Sequence, residues 1–205
     1  MRGKTFLIAG VLAATAMISG CSTTGSTVFA NAYKARTDSG YALPAIPLSK
    51  IDKQYRRQVV EYQTREKPGT IIIDTNNKHL HLVMEDGKAM RSGIGVGREG
   101  FLWKGTASIG WKREWPTWTP PAPMIRREPH LAKYRGGMKP GLKNPLGARA
   151  LYLTRRGRDT GYRLHGTPEW WSIGGNVSSG CIRLMNQDII DLFERVEPGA
   201  KVIVT

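Results

Sequence analysis

Short β-branched or alternating runs, separated by glycine, proline and asparagine, fill the chain from Gly69 onward and confine it to a mostly β fold. Thr70-Ile71-Ile72-Ile73-Asp74 is one such run, and Asn76-Asn77 supplies the turn after it. In the next run Leu80, Leu82 and Met84 share a face, and Asp86-Gly87 turns the chain again, the pattern of a hairpin. Further strands are predicted around 89–96, 106–111, 150–153, 162–164 and 201–204. One amphipathic helix stands out, because Ile189, Leu192, Phe193 and Val196 recur at i, i+3, i+4 and i+7. Asn186 is placed to cap it, Asp188 to complement its first-turn dipole, and Pro198-Gly199 to end it. The expected architecture is a β-sandwich or sheet domain over 69–205 with a single helix packed against it.

What precedes the domain is of another character. Residues 1–21, MRGKTFLIAGVLAATAMISGC, open with Arg2 and Lys4 and run apolar or small from Phe6 to Ile18. That run is shorter than the roughly 20 residues a membrane span needs, so it is predicted to be an export signal. Its last four residues, Ile18-Ser19-Gly20-Cys21, resemble the lipobox of bacterial lipoproteins, which implies a lipid on Cys21; an ordinary signal with an incidental cysteine is the alternative. Residues 22–50 are rich in Ser, Thr, Ala and Gly, with Pro44 and Pro47, and 51–67 are charged with Val59-Val60 as their one strong apolar pair. Together 22–68 are expected to form a flexible tether and a partly ordered lead-in.

The chain has 31 Lys and Arg against 16 Asp and Glu, a net charge of +15, or +13 once Arg2 and Lys4 are set aside. Such a charge favours an anionic partner. Outside the cytoplasm the candidates are a membrane surface, an anionic polysaccharide or the carboxylate-rich cell wall, and not nucleic acid. If Cys21 carries lipid, Cys181 has no intrachain partner in an oxidising compartment, which suggests a thiol kept for its reactivity.

The segment HGTPEWWSIGGNVSSGCIRLMN, from His165 to Asn186, supplies that thiol with neighbours. His165 closes a predicted strand, Cys181 precedes the helix, and Gly166, Gly174, Gly175 and Gly180 lie between them. Such a loop can bring strand end and helix start together, giving a thiol its base. Gly180 permits a sharp turn that leaves the amides of Ser179, Gly180 and Cys181 to line an oxyanion hole. Arg183 is suited to a substrate carboxylate. A histidine and a cysteine in one loop are by themselves more often structural than catalytic, but the small residues before Cys181 and the arginine after it favour chemistry. His79 and His81 stand two apart with nothing else at ligand spacing, so no metal is expected, and no cofactor is called for. Trp115, Trp118 and Trp170 suit packing as well as stacking, whereas Trp171, inside the loop, is the stronger candidate for substrate contact. Met124 and Met138 are expected to be core or loop filler.

The same segment resembles the signature of the L,D-transpeptidases: His165-Gly166, a spacer, Ser178-Ser179-Gly180-Cys181, then Ile182, Arg183 and Asn186. EWPTWTPPAPMI (Glu114–Ile125) and NPLGARALYL (Asn144–Leu153) are also similar to that family's secreted bacterial branch. The resemblance implies an L,D-transpeptidase-like domain in which Cys181 is the nucleophile, His165 the general base and acid, and Gly166 the orienter of His165 through its carbonyl. Ser178, Ser179, Gly180, Arg183, Asn186 and Trp171 would form the oxyanion and substrate sites. It implies peptidoglycan stem peptides as substrates, with outer-membrane proteins as further acyl acceptors, at the periplasmic face of the envelope. An L,D-carboxypeptidase using water, a sortase-like transpeptidase and a non-catalytic basic wall-binding lipoprotein are the alternatives. A sortase's Thr-x-x-Thr-Cys strand is absent, and papain-like enzymes place Cys before His.

Overall fold

The computed structural model describes residues 29–98 and 103–205. Their strands, in chain order, are β1 (Arg36–Asp38), β2 (Tyr41–Leu43), β3 (Gln58–Glu61), β4 (Ile71–Asp74), β5 (His79–Val83), β6 (Lys88–Gly93), β7 (Val96–Gly97), β8 (Gly105–Glu114), β9 (Arg149–Arg155), β10 (Arg158–Thr167), β11 (Asn176–Ser178), β12 (Ile182–Met185) and β13 (Lys201–Val204). The α-helices α1 (Ala122–Arg127) and α2 (Asn186–Arg195) accompany them, and residues 29–32 are also helical. The fold is mostly β, as the punctuation of the sequence requires. The leader and the lipobox cysteine Cys21 lie outside the described residues.

Nine strands form one mixed sheet in the order β12-β10-β9-β8-β13-β4-β5-β6-β3. Within it only β10–β12 and β13–β4 pair in parallel. The sheet curls until β12 meets the segment that follows β6: Gly95 exchanges backbone hydrogen bonds of 2.9 and 2.8 Å with Arg183 of β12. Inward residues from both halves therefore share one core, including Ile71, Leu80, Ile109, Leu153, Leu164 and Leu184. Each such side chain contributes on the order of 1.5–3 kcal/mol on burial.

That core also receives α2 through Ile189 and Leu192, both buried as their spacing predicts. Its first turn departs from expectation. Met185 precedes the helix with no side-chain cap, and the Asn186 carboxamide is turned inward instead. Asp188 does not sit at an exposed helix end; it is buried behind Arg57, whose Nη1 lies 3.7 Å from it and 3.4 Å from Asp191. Burial pushes the Asp188 carboxyl up to about 7, with Arg57 opposing that rise.

A flexible tether over 22–50, leading into the partly ordered 51–67, does not describe the part of it that the structure contains. Tyr33, Leu43, Ile46 and Ile51 are buried, β1 and β2 form a hairpin, and β3 joins the sheet edge beside β6. Asp38 of the hairpin receives two hydrogen bonds from buried Arg149, at 2.7 and 3.0 Å, and one from Trp115 Nε1 at 2.7 Å. These anchors are spaced without any helix or strand period. Each fits a place on a surface built by the later sequence, so local patterning carries no trace of them. His79 and His81 are displaced from solvent by the same segment, for Tyr55 and Tyr62 cover their face of β5.

Candidate active site

Leu164 of β10 and Ile182 and Leu184 of β12 point into the core. By strand alternation Arg163, His165, Cys181 and Arg183 face the other way. The parallel register sets Leu164 against Ile182 and His165 against Arg183, which puts Cys181 beside Arg163 at the start of β12. All four border one groove of about 1000 Å³. Thr117, Trp118, Met124 and Trp171 also line it.

His165 is fixed by its neighbour. Nδ1 lies 2.6 Å from the Gly166 carbonyl oxygen, which can only accept, so Nδ1 carries the proton and Nε2 keeps the lone pair. Packing requires glycine at 166: a Cβ there would stand 2.3 Å from Asn186 Oδ1 and 3.0 Å from Ile189 of α2. Burial strips water from the imidazole and lowers it to about 4; the Gly166 carbonyl opposes this, and the charges of Arg183 and Arg163 add to it. Burial likewise pushes the Cys181 thiol up, and the Arg163 backbone N–H and the charges of Arg163 and Arg183 pull it back only in part. Both shifts favour the uncharged forms, a thiol and an imidazole that share one groove.

Ser178 shapes the turn that carries Cys181. Its hydroxyl donates to the Cys181 carbonyl at 2.6 Å and accepts from the Gly180 N–H at 3.1 Å. Gly180 adopts φ +118°, a backbone state that side chains rarely reach. One expectation changes here. The Gly180 amide is committed to Ser178, so among the three amides considered only those of Ser179 and Cys181 remain for an oxyanion. Ser179 also lies at the groove, its hydroxyl 3.4 Å from Arg127.

Asn186 is corrected more strongly. Its Oδ1 accepts the Ala148 N–H at 2.9 Å beneath Gly166, on the helix side of β10, and it does not border the groove. It ties the β9 entry to α2 behind the histidine. Arg183 does border the groove, with Nη1 2.9 Å from Glu169. Trp171 is 65 % exposed on the rim, while Trp115 is buried against Tyr41 and Asp38 as a packing anchor. Met124, expected as filler, borders the groove instead. Arg163 went unremarked in the sequence, although it stands two residues before His165, the strand spacing for a shared face. Asn144 also lacked a signal beyond its Asn-Pro pair. Its Nδ2 lies 3.0–3.2 Å from the carbonyls of Pro116, Met138 and Lys139, which makes it the knot of the groove's loop wall.

Residues 68–204 match the family model described as YkuD, the L,D-transpeptidase catalytic domain. The probable L,D-transpeptidase YbiS of Escherichia coli strain K12 is 40% identical over 120 residues, covering 53% of this chain and 35% of that protein. The probable L,D-transpeptidase YcfS of the same strain is 46% identical over 92 residues, covering 44% and 28%. The chain thus spans about a third of the length of the curated relatives it matches. Among solved structures, a Brucella melitensis protein described as a probable carnitine operon oxidoreductase is 44% identical with a TM-score of 0.53, covering 78% of this chain and 99% of that one. An Enterococcus faecium L,D-transpeptidase in a cysteine-to-serine form has a TM-score of 0.51 at 18% identity, covering 68% and 50%, a likeness of fold alone.

Proposed function

The chain belongs to the YkuD family of L,D-transpeptidase catalytic domains, and on that premise we propose that it is a cysteine acyltransferase acting on peptidoglycan stem peptides. The observation that carries the reading is the shared groove of His165 and Cys181, with the imidazole tautomer set by Gly166. Cys181 attacks the carbonyl that joins the third, diamino residue of a tetrapeptide stem to its terminal D-Ala, while His165 Nε2 takes the thiol proton. The Cys181 and Ser179 amides face the developing oxyanion. The C–N bond breaks, His165 returns the proton to the departing D-Ala amine, and a thioester remains. An amine then attacks the thioester, gives up its proton to His165 and leaves as the new amide, with Cys181 restored.

Among the described residues five cationic side chains border the groove, Arg98, Arg127, Lys143, Arg163 and Arg183, against Glu128 and Glu169. That balance suits a donor carrying several carboxylates. With a second stem's amine as acceptor, the product is a cross-link between third-position residues. An outer-membrane protein amine would tie envelope to wall instead, and water would make the enzyme an L,D-carboxypeptidase. A place at the periplasmic face, with lipid on Cys21, agrees with such substrates. The direct test is intact-mass analysis after incubation with tetrapeptide stems: a mass gain equal to the stem less D-Ala, mapped to Cys181, is expected. A protein that releases D-Ala without ever carrying that adduct would need another mechanism.

The lowered histidine sets the pH dependence. A base that stays unprotonated down to about pH 4 remains competent there, so kcat/KM is expected to hold level from pH 8 to about pH 5 and to halve near pH 4. An acid limb near the ordinary imidazole value of about 6.5 would show an unburied, unperturbed base. At the rim, Trp171→Ala is expected to raise KM two- to tenfold, from a lost aromatic contact of about 0.5–1.5 kcal/mol. Because Trp171 is so exposed, Tm should stay unchanged. An unaltered KM in steady-state kinetics would remove it from the substrate site.

A further inference from the structure

β10 leaves regular pairing between Asp159 and Arg163. Three hydrogen bonds build the irregularity: Thr160 Oγ1 donates to the Leu153 carbonyl at 2.7 Å, the Tyr162 N–H to Thr160 Oγ1 at 3.1 Å, and the Gly161 N–H to Asp159 Oδ1 at 2.9 Å. Gly161 takes φ +78° to allow it. In a straight strand four residues span about 13 Å. Here the bulge brings the two side chains into a two-point ion pair, Nη1–Oδ1 2.7 Å and Nη2–Oδ2 2.8 Å. The guanidinium also lies 4.4 Å over the Tyr152 ring, which stacks on Trp111 with centroids 4.7 Å apart. Arg163 is thereby a cation locked in place at the groove, on the face that carries His165 and beside the turn of Cys181.

The charged groups around that thiol come from several elements. Among the described residues they are His165 and Arg163 on β10, Arg183 on β12 with Glu169 bound to it, Arg98 beyond β7, Arg127 on α1, and Glu128 and Lys143 in the chain between α1 and β9. His165 is neutral, so it provides no counter-charge to a thiolate in the resting enzyme. Arg183 is offset by Glu169 at 2.9 Å. Arg163 differs in that its carboxylate partner, 44 % exposed at the side chain, is held behind it by the bulge, while its own backbone N–H reaches the sulfur.

Resting on the assignment of Cys181 as the nucleophile, we propose that Asp159 and Arg163 form a positioning pair that sets how readily Cys181 gives up its proton. Arg163 favours the thiolate; Asp159 holds the guanidinium in place and cancels part of its charge. The proposal is tested on the full chain by the rate of iodoacetamide alkylation at Cys181 across pH, followed by peptide mass mapping. Thiolate displaces iodide in this reaction, so the rate reports the ionised fraction without any stem peptide. Arg163→Met is expected to slow alkylation about three- to tenfold at pH 7, and the curves should converge at high pH where the thiol is fully ionised. Arg163→Lys, which keeps the charge, should recover most of the rate. Asp159→Asn keeps one hydrogen bond but removes the cancelling charge, and should speed alkylation about threefold at pH 7.

An Arg163→Met rate equal to wild type, a slowing that persists undiminished at high pH, or slower alkylation in Asp159→Asn would each overturn the proposal. If Arg163→Met fails to fold, the direction of the Asp159→Asn effect decides alone. Failure here is separable from failure of the transpeptidase reading. An unchanged alkylation profile with intact acyl transfer refutes only the pair, whereas the expected profile without acyl transfer refutes only the reaction.

Discussion

Cys181→Ala is expected to abolish D-Ala release, by a factor on the order of 10³ or more, while the domain stays folded. The geometry separates the two effects. The loop is held by main-chain groups, since the Ser178 hydroxyl grips the Cys181 carbonyl and Gly180 N–H, and the Gly95–Arg183 bridge fixes the strand that follows. The thiol itself faces the groove and anchors none of the core. A change of about 1 kcal/mol or less in stability is therefore expected. The check is D-Ala release set beside a thermal melt. Turnover in a folded Cys181→Ala protein would exclude a thioester at this position.

Asp38→Ala should have the largest effect on stability. Asp38 stands in β1, far in sequence from the Arg149 it neutralises, and that arginine is 5 % exposed at the side chain. With the carboxylate gone, Arg149 keeps the Ala148 carbonyl, a distant Glu114 at 3.7 Å and the Phe193 ring 5.2 Å from its guanidinium, and Trp115 Nε1 loses its acceptor. Removing one partner of a buried ion pair costs about 3–5 kcal/mol. In a chain of this size that lowers Tm by on the order of 10 °C. Were residues 36–43 a mobile leash, the substitution would leave Tm unmoved, so a melt distinguishes the docked hairpin from the tether expected of its composition.

The contrast between those two sites explains what could be foreseen. His165 and Cys181 fall within 16 positions of each other, in a loop whose glycines and serines announce a tight turn, and the chemistry of a thiol needs a neighbouring base. The strands of 70–84 and the stripe Ile189, Leu192 were legible because period and burial are local. Asp38, Arg57, Tyr33 and Asn144 were not, since each acts through a partner that only the folded chain brings near. Asn186 shows the same limit within the motif itself. Its position suggested a cap or a substrate contact, but the close approach of Gly147 and Gly166 draws its carboxamide to the Ala148 amide behind β10. Burial decided the electrostatics in the same way. Nothing in the residue names foretold an imidazole lowered to about 4 or an aspartate raised to about 7.

The central claim, acyl transfer from a tetrapeptide stem through Cys181, is tested most directly with the full chain and purified disaccharide-tetrapeptide, products being read by mass spectrometry. The account predicts a cross-linked dimer lighter than two monomers by the mass of one D-Ala, formed by wild type and absent with Cys181→Ala. Folded wild-type protein that releases no D-Ala from this substrate would contradict it.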